Sequence, residues 1–143
     1  MREVNEYGSM KFDREKIVAT AKVEISLSEN DIESIMVTGL EGGIGYWARL
    51  DNSGKDWEEK PKEVAVSHWA TELLLQGKTL QFSDAEGDDD ESLGDWTLTL
   101  EKLANGFALN YKNRPFDNDL ENGDATTADC IIQYAMFGKV VFG

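Results

Sequence analysis

The most regular pattern near the start of the chain covers residues 17–27, where every odd-numbered side chain is apolar. Alternation of this period is typical of a strand with one buried face, so we predict a strand from Ile17 to Leu27. Residues 1–16 have no clear period, and we interpret them as a flexible arm or a frayed first strand.

Four later stretches carry apolar residues at helical spacing, and each is bounded by residues that start or stop helices. Ser28 is a predicted N-cap with acidic residues in the turn that follows it. The predicted helices cover residues 29–41, 63–76, 101–111 and 126–137.

Short apolar segments between these helices predict strands at residues 45–50, 79–82, 96–100 and 139–142. The second and third are joined by an acidic loop and form a predicted hairpin with a long tip. We therefore predict an α+β fold, with three to four helices packed on a mostly antiparallel or mixed sheet.

Length and composition bound the class of protein. The chain has 143 residues, of which 41% are hydrophobic, and this suits one domain over residues 1–143. The first residues are charged, unlike a signal peptide, and no apolar run is long enough to cross a bilayer. Cys130 is the only cysteine, which excludes an internal disulfide. We expect a cytoplasmic protein that does not bind membranes.

The charge is strongly negative and unevenly distributed. There are 28 acidic and 14 basic residues, for a net charge of −14. Residues 1–27 hold five of each, so the whole net charge lies in residues 28–143. Such a field repels nucleic acid and attracts basic surfaces. Direct nucleic-acid binding is therefore disfavoured, and a basic protein is the expected partner.

The acidic loop holds seven carboxylates in twelve residues with no base among them: Asp84, Glu86, Asp88, Asp89, Asp90, Glu91 and Asp95. A row of carboxylates can imitate the phosphates of a duplex and compete for a groove rich in Lys and Arg. The alternative is a loop that only confers solubility. The spacing does not match a calcium-binding loop, because the central glycine is missing.

The segment EGGIGYW (Glu41–Trp47) is a second candidate site. Gly42 and Gly43 would let backbone approach a ligand closely, and Tyr46 and Trp47 could stack on a base or sugar. The alternative is a helix end and tight turn that leads into a strand with a core Trp. Trp57, in a charged loop, is either an interface anchor or a lid over the sheet.

No catalytic constellation is visible, and we expect no cofactor or bound metal. His68 is the only histidine, and a surface pair with Glu72 is the favoured interpretation. Cys130 lies beside apolar residues and next to Asp129, which favours a structural role over a reactive thiolate.

Three segments resemble a group of small phage and prophage accessory proteins: EGGIGYW, WTLTLEKLANGF at residues 96–107, and the ending IIQYAMFGKVVFG. The similarity spans most of residues 28–143, and its motifs assign no catalytic residue. It implies a setting, because small acidic proteins of this kind are often inhibitors of host defence, including anti-CRISPR proteins that bind an effector nuclease.

The leading hypothesis is therefore a non-enzymatic inhibitor that binds the basic nucleic-acid site of a defence protein through the acidic loop. Two alternatives stay open. One is a small-molecule or nucleotide binder built on EGGIGYW, and the other is a metal-dependent enzyme that uses clustered carboxylates. The oligomeric state is not predicted.

Overall fold

The computed structural model describes residues 2–87 and 95–143 of the chain. Five helices lie within these ranges, and we number them in chain order: α1 Glu29–Thr38, α2 Lys55–Glu58, α3 Val66–Leu75, α4 Leu100–Asn113 and α5 Ala125–Phe137. A π-helical turn, Gly39–Gly43, follows α1 directly. The predicted α+β class is confirmed, and the one addition is the single turn α2 inside the predicted polar loop.

The sheet has three antiparallel strands in the order β1 (Ala48–Leu50), β2 (Leu80–Asp84) and β3 (Trp96–Leu98). Strand β2 is central, with Leu50 opposite Phe82 on one side and Phe82 opposite Trp96 on the other. The predicted hairpin around the acidic loop is therefore confirmed.

Helix α1 starts at the predicted position because Ser28 and Asp31 form a reciprocal capping box. Asp31 N donates to Ser28 Oγ at 3.1 Å, and Ser28 N donates to Asp31 Oδ2 at 2.8 Å. Past α1 the chain must run close to α5, where a Cβ on Gly43 would lie 2.9 Å from Ala125 O. Glycine is required there to let the backbones approach.

The core is shared by every layer of the fold, and its largest fully buried side chains include Trp47, Leu74, Phe82, Leu103 and Ile131. Helices α4 and α5 form the closest helix pair. A Cβ on Gly106 of α4 would lie 2.5 Å from Ile131 O and 2.6 Å from Ala135 N of α5. The missing side chain at Gly106 sets the distance between these two helices.

The predicted strand at residues 17–27 is wrong. The segment has no regular secondary structure, and no backbone hydrogen bond joins it to any other described residue. Ile17 and Val23 are 85% and 78% exposed. A strand needs a neighbouring strand for its backbone groups, and the sheet supplies none along this segment. Residues 2–16 contain one isolated bridge, between Val4 and Met10.

The predicted strand at residues 139–142 is also wrong, because a side chain satisfies its backbone. Gln133 Oε1 accepts hydrogen bonds from Val141 N and Phe142 N, both at 2.8 Å. Gln133 Nε2 donates to Phe142 O at 3.1 Å. The side-chain amide of Gln133 thus bonds the backbone of the last residues, as a neighbouring strand would. Phe142 packs against the core.

Candidate functional site

The acidic loop leaves and re-enters the sheet at one end. Asp84 is the last residue of β2 and lies opposite Ala48, the first residue of β1. Asp95 immediately precedes β3 and is exposed, as is Glu86. Asp84, Glu86 and Asp95 therefore lie at the same end of the sheet, where β2 ends and β3 begins. The remaining predicted contacts, Asp88, Asp89, Asp90 and Glu91, lie outside the described residues.

Local hydrogen bonds fix the start of this loop. Glu86 N donates to the Asp84 side chain at 2.9 Å, and Gly87 N donates to Asp84 O at 3.0 Å. Ala85 N donates to Trp47 O at 3.0 Å, which ties the loop to the chain before β1. The first carboxylates of the loop thus have defined positions relative to the core.

An aromatic cluster adjoins this end of the sheet. Trp47 stacks on Phe142 with ring centroids 5.1 Å apart and planes 8° apart, and Trp96 meets Phe137 edge-on at 5.2 Å. Trp47 and Trp96 are also in contact, at 5.6 Å. Aromatic pairs in these arrangements stabilise the packing beyond the area that they bury. Both ends of the acidic loop therefore adjoin a well-packed part of the molecule.

A buried carboxylate, Asp129 of α5, organises the other side of this cluster. Its Oδ1 accepts from Trp47 Nε1 at 2.7 Å and from Gln133 Nε2 at 2.8 Å, and its Oδ2 accepts from the Tyr46 hydroxyl at 2.6 Å. Asp129 is only 8% exposed. The two aromatic residues proposed as a stacking platform are thus both hydrogen-bonded to the protein itself.

The contacts of EGGIGYW differ from those that a stacking site needs. Trp47 is 2% exposed and belongs to the core, whereas Tyr46 is 52% exposed. A cavity of about 460 Å³ adjoins Gly42, Gly43 and Tyr46 beside the start of α5. Trp57 lies apart from it in α2, half-buried against the core.

Burial and hydrogen bonding change the pKa of the Tyr46 hydroxyl. Partial burial and then the hydrogen bond to Asp129 raise the pKa of Tyr46 from 10.0 to about 12, because both disfavour the tyrosinate. A raised folded pKa means that the stability from this group is complete below pH 10 and is lost as the pH rises through about 12.

We therefore expect the Tyr46 hydroxyl to ionise late in an alkaline titration followed by the ultraviolet absorbance of tyrosinate. The titration curve of the wild type minus that of Tyr46→Phe should have its midpoint near pH 12. Circular dichroism over the same range would verify that the fold persists. A difference curve centred near pH 10 would contradict the Tyr46–Asp129 hydrogen bond.

The other titratable candidates give no site. His68 is exposed on α3, and Glu72 accepts a hydrogen bond from Gln76 at 3.0 Å. Cys130 is buried in α5, and this burial raises the pKa of its thiol, which opposes thiolate formation. Across residues 2–87 and 95–143, no three side chains of His, Cys, Asp or Glu are grouped to hold a metal ion.

Sequence reasoning missed Asp129 and Gln133 as the residues that join α5 to Tyr46, Trp47 and Phe142. The available signal was a carboxylate and an amide four residues apart, and so on one helix face, within an otherwise apolar helix. Buried polar groups need partners, so such a pair predicts a network even when its partners are unknown.

Comparison of the chain with protein-family models, with curated proteins and with solved structures gives no significant match. No helix in the described part of the chain combines the length and the apolar character that a bilayer crossing requires.

Proposed function

We propose that this chain is a non-enzymatic binding protein of the bacterial cytoplasm that occupies the cationic, nucleic-acid-binding groove of another protein. One observation carries the proposal: the residues from Asp84 to Asp95 concentrate seven carboxylates without a single base, in the part of the chain that holds the entire net charge of −14. A cationic surface is the partner that such a field attracts.

The density of charge suits a phosphate mimic. Each strand of a duplex presents one phosphate per about 3.4 Å of axis. Residues 88–91 are four consecutive acids, one charge on each unit of the chain, as in a phosphate backbone. A Lys/Arg-lined groove that binds phosphates would therefore attract this run.

The contacts that hold the two ends of the loop favour tight binding. Groups that are held in place before association lose less conformational freedom when they bind. Asp84 is fixed by β2, and Asp95 adjoins Trp96 of the aromatic cluster. Attraction between opposite charges would also speed association and make it sensitive to salt.

The resemblance to small prophage proteins suggests the kind of partner. A protein of host defence that holds nucleic acid, such as a CRISPR effector nuclease with its positively charged channel, has the complementary surface. In this setting the chain acts as an anti-CRISPR-like inhibitor that competes with nucleic acid.

The decisive variant replaces Asp88, Asp89, Asp90 and Glu91 by lysine. Four carboxylates become four ammonium groups, which changes the net charge by +8, from −14 to −6. We expect the immobilised wild-type chain to capture a nucleic-acid-binding protein from lysate of the native host at low salt and to release it at high salt or when DNA is added. The variant should capture none, with a nearly unchanged melting temperature.

The control reverses four acids elsewhere, Glu58, Glu59, Glu63 and Glu121, which are all exposed. It has the same net charge as the loop variant, so it separates a local recognition surface from bulk charge. Equal loss of capture in both variants would reduce the effect to net charge. Undiminished capture by the loop variant would eliminate the mimicry.

The two alternative functions have less support from the described contacts. Stacking of a ligand on Trp47 would require access to a ring that is 2% exposed. A carboxylate-based metal enzyme would require acids grouped around an ion, and the described residues contain no such group.

A further inference from the structure

Residues 17–27, which we call the leading segment, expose an unusual number of apolar side chains. Ile17 and Val18 are 85% and 84% exposed, Val23 is 78% exposed and Ile25 is 42% exposed. Contiguous exposed apolar residues mark interaction surfaces in soluble proteins. The leading segment is therefore a candidate interface.

The backbone of the leading segment also lacks hydrogen-bond partners among the described residues. Its odd-numbered side chains are all apolar, and its even-numbered ones are polar except Val18. This is the pattern of a strand with one covered face, yet no backbone hydrogen bond joins it to any other described residue. Amide and carbonyl groups without partners in the described chain can pair with those of a partner strand.

Part of the apolar side of this segment lines a groove on the domain. Val23, Ile25 and Leu27 line this open apolar groove of about 480 Å³ together with Ile32 of α1 and Phe107 of α4. Val23 nevertheless stays 78% exposed, so its side chain is accessible to a second copy.

We propose that the missing strand is the leading segment of a second copy of this chain, paired antiparallel about a two-fold axis at Val23. In this register Val23 faces Val23, Ala21 faces Ile25, and Lys22 faces Glu24 of the second copy. Lys22 and Glu24 are the only charges in the segment, and the two-fold axis makes two attractive pairs from them.

The neighbouring registers are less favourable. Centring on Lys22 would oppose two lysines, and centring on Glu24 would oppose two glutamates. A shift by a single residue would place the apolar face of one strand against the polar face of the other. Hydrophobic pattern and charge thus select the same pairing.

A second copy fits better than other occupants of the unpaired backbone. The outer strands β1 and β3 are three residues long, too short to pair with an eleven-residue segment. Two bodies that carry the whole charge of −14 repel one another, whereas residues 1–27 sum to zero. Pairing through the neutral segment therefore joins two copies where repulsion is weakest. This inference is independent of the proposed function.

A cysteine pair tests the register directly. In Val23→Cys the two new thiols would face each other, with Cα atoms about 4.5–5.5 Å apart, within the range of a disulfide. In the control Val18→Cys, which is matched in exposure, they would be about 34 Å apart along the strands. Cys130 is buried and common to both variants.

We expect a disulfide-linked dimer from Val23→Cys in a glutathione redox buffer and little from Val18→Cys, with a concentration-dependent dimer of the wild type in analytical ultracentrifugation. A strictly monomeric wild type, or equal cross-linking of both variants, would overturn the proposal.

Charge swaps give an independent test. Lys22→Glu and Glu24→Lys each replace two attractive pairs by two repulsive ones, so each should weaken dimerisation roughly ten-fold. The double variant Lys22→Glu/Glu24→Lys restores opposite charges and should recover the wild-type dissociation constant. Additive weakening in the double variant would exclude this pairing.

Discussion

Replacing Gly106 by alanine is expected to lower the free energy of unfolding by about 2–3 kcal/mol, against the usual preference for alanine in a helix. The added Cβ would lie 2.5 Å from Ile131 O, 2.6 Å from Ala135 N and 2.7 Å from Ala135 Cβ. Two of these atoms belong to the backbone of α5 and cannot rotate away. Helices α4 and α5 would have to separate, which would loosen the packing of Leu103 and Phe107.

The matched control is Gly42→Ala in the π-helical turn, where a Cβ would meet only Ala125 Cβ at an ordinary 3.9 Å. We expect this variant to be neutral or slightly stabilising. Urea unfolding followed by tryptophan fluorescence measures both. If Gly106→Ala instead stabilised the protein, as replacing glycine by alanine does in an exposed helix, the close crossing of α4 and α5 would be disproved.

The parts of the fold that were predictable depend on local chemistry. The start of α1 follows from Ser28 and its capping residues, and the end of α5 follows from Gly138, which adopts a left-handed φ of 72°. The β2–β3 hairpin follows from two short apolar runs around a polar loop. In each case the deciding interactions join residues close in sequence.

The two incorrect strands show where local patterns stop being informative. Residues 17–27 have the alternation of a strand, but the pattern specifies only which face is apolar and cannot provide a hydrogen-bonding neighbour. Residues 140–142 are apolar and two of them are β-branched, yet the side chain of Gln133 bonds Val141 and Phe142 instead. Both outcomes depend on what other segments offer.

The candidate site divides in the same way. The concentration of acids around Asp84 and Asp95 is visible in the sequence. The structure adds that both residues lie at the same end of the sheet, beside the aromatic cluster. The partners of Asp129 were not predictable, because Tyr46 and Trp47 are 83 and 82 residues away in the sequence. Charge density is a local property, whereas a buried network is not.

Asp129→Ala is expected to cost about 3–5 kcal/mol of stability. The substitution removes the acceptor of two hydrogen bonds. One is donated by the indole N–H of Trp47, a residue that is only 2% exposed, and the other is donated by the side-chain amide of Gln133. Each buried donor left without a partner costs about 1–3 kcal/mol. Released Gln133 would also hold Phe142 less firmly against Trp47. Urea unfolding followed by tryptophan fluorescence would measure the loss.

Asp129→Asn separates the hydrogen bonds from the charge. Its amide oxygen can replace Oδ1, which accepts from both Trp47 and Gln133, and its NH₂ group can donate to the Tyr46 hydroxyl in place of accepting from it. We expect this variant to lose only about 1 kcal/mol. Because the carboxylate helps to raise the pKa of Tyr46, that pKa should also fall from about 12. A loss as large as that of Asp129→Ala would mean that the negative charge itself holds the aromatic cluster together.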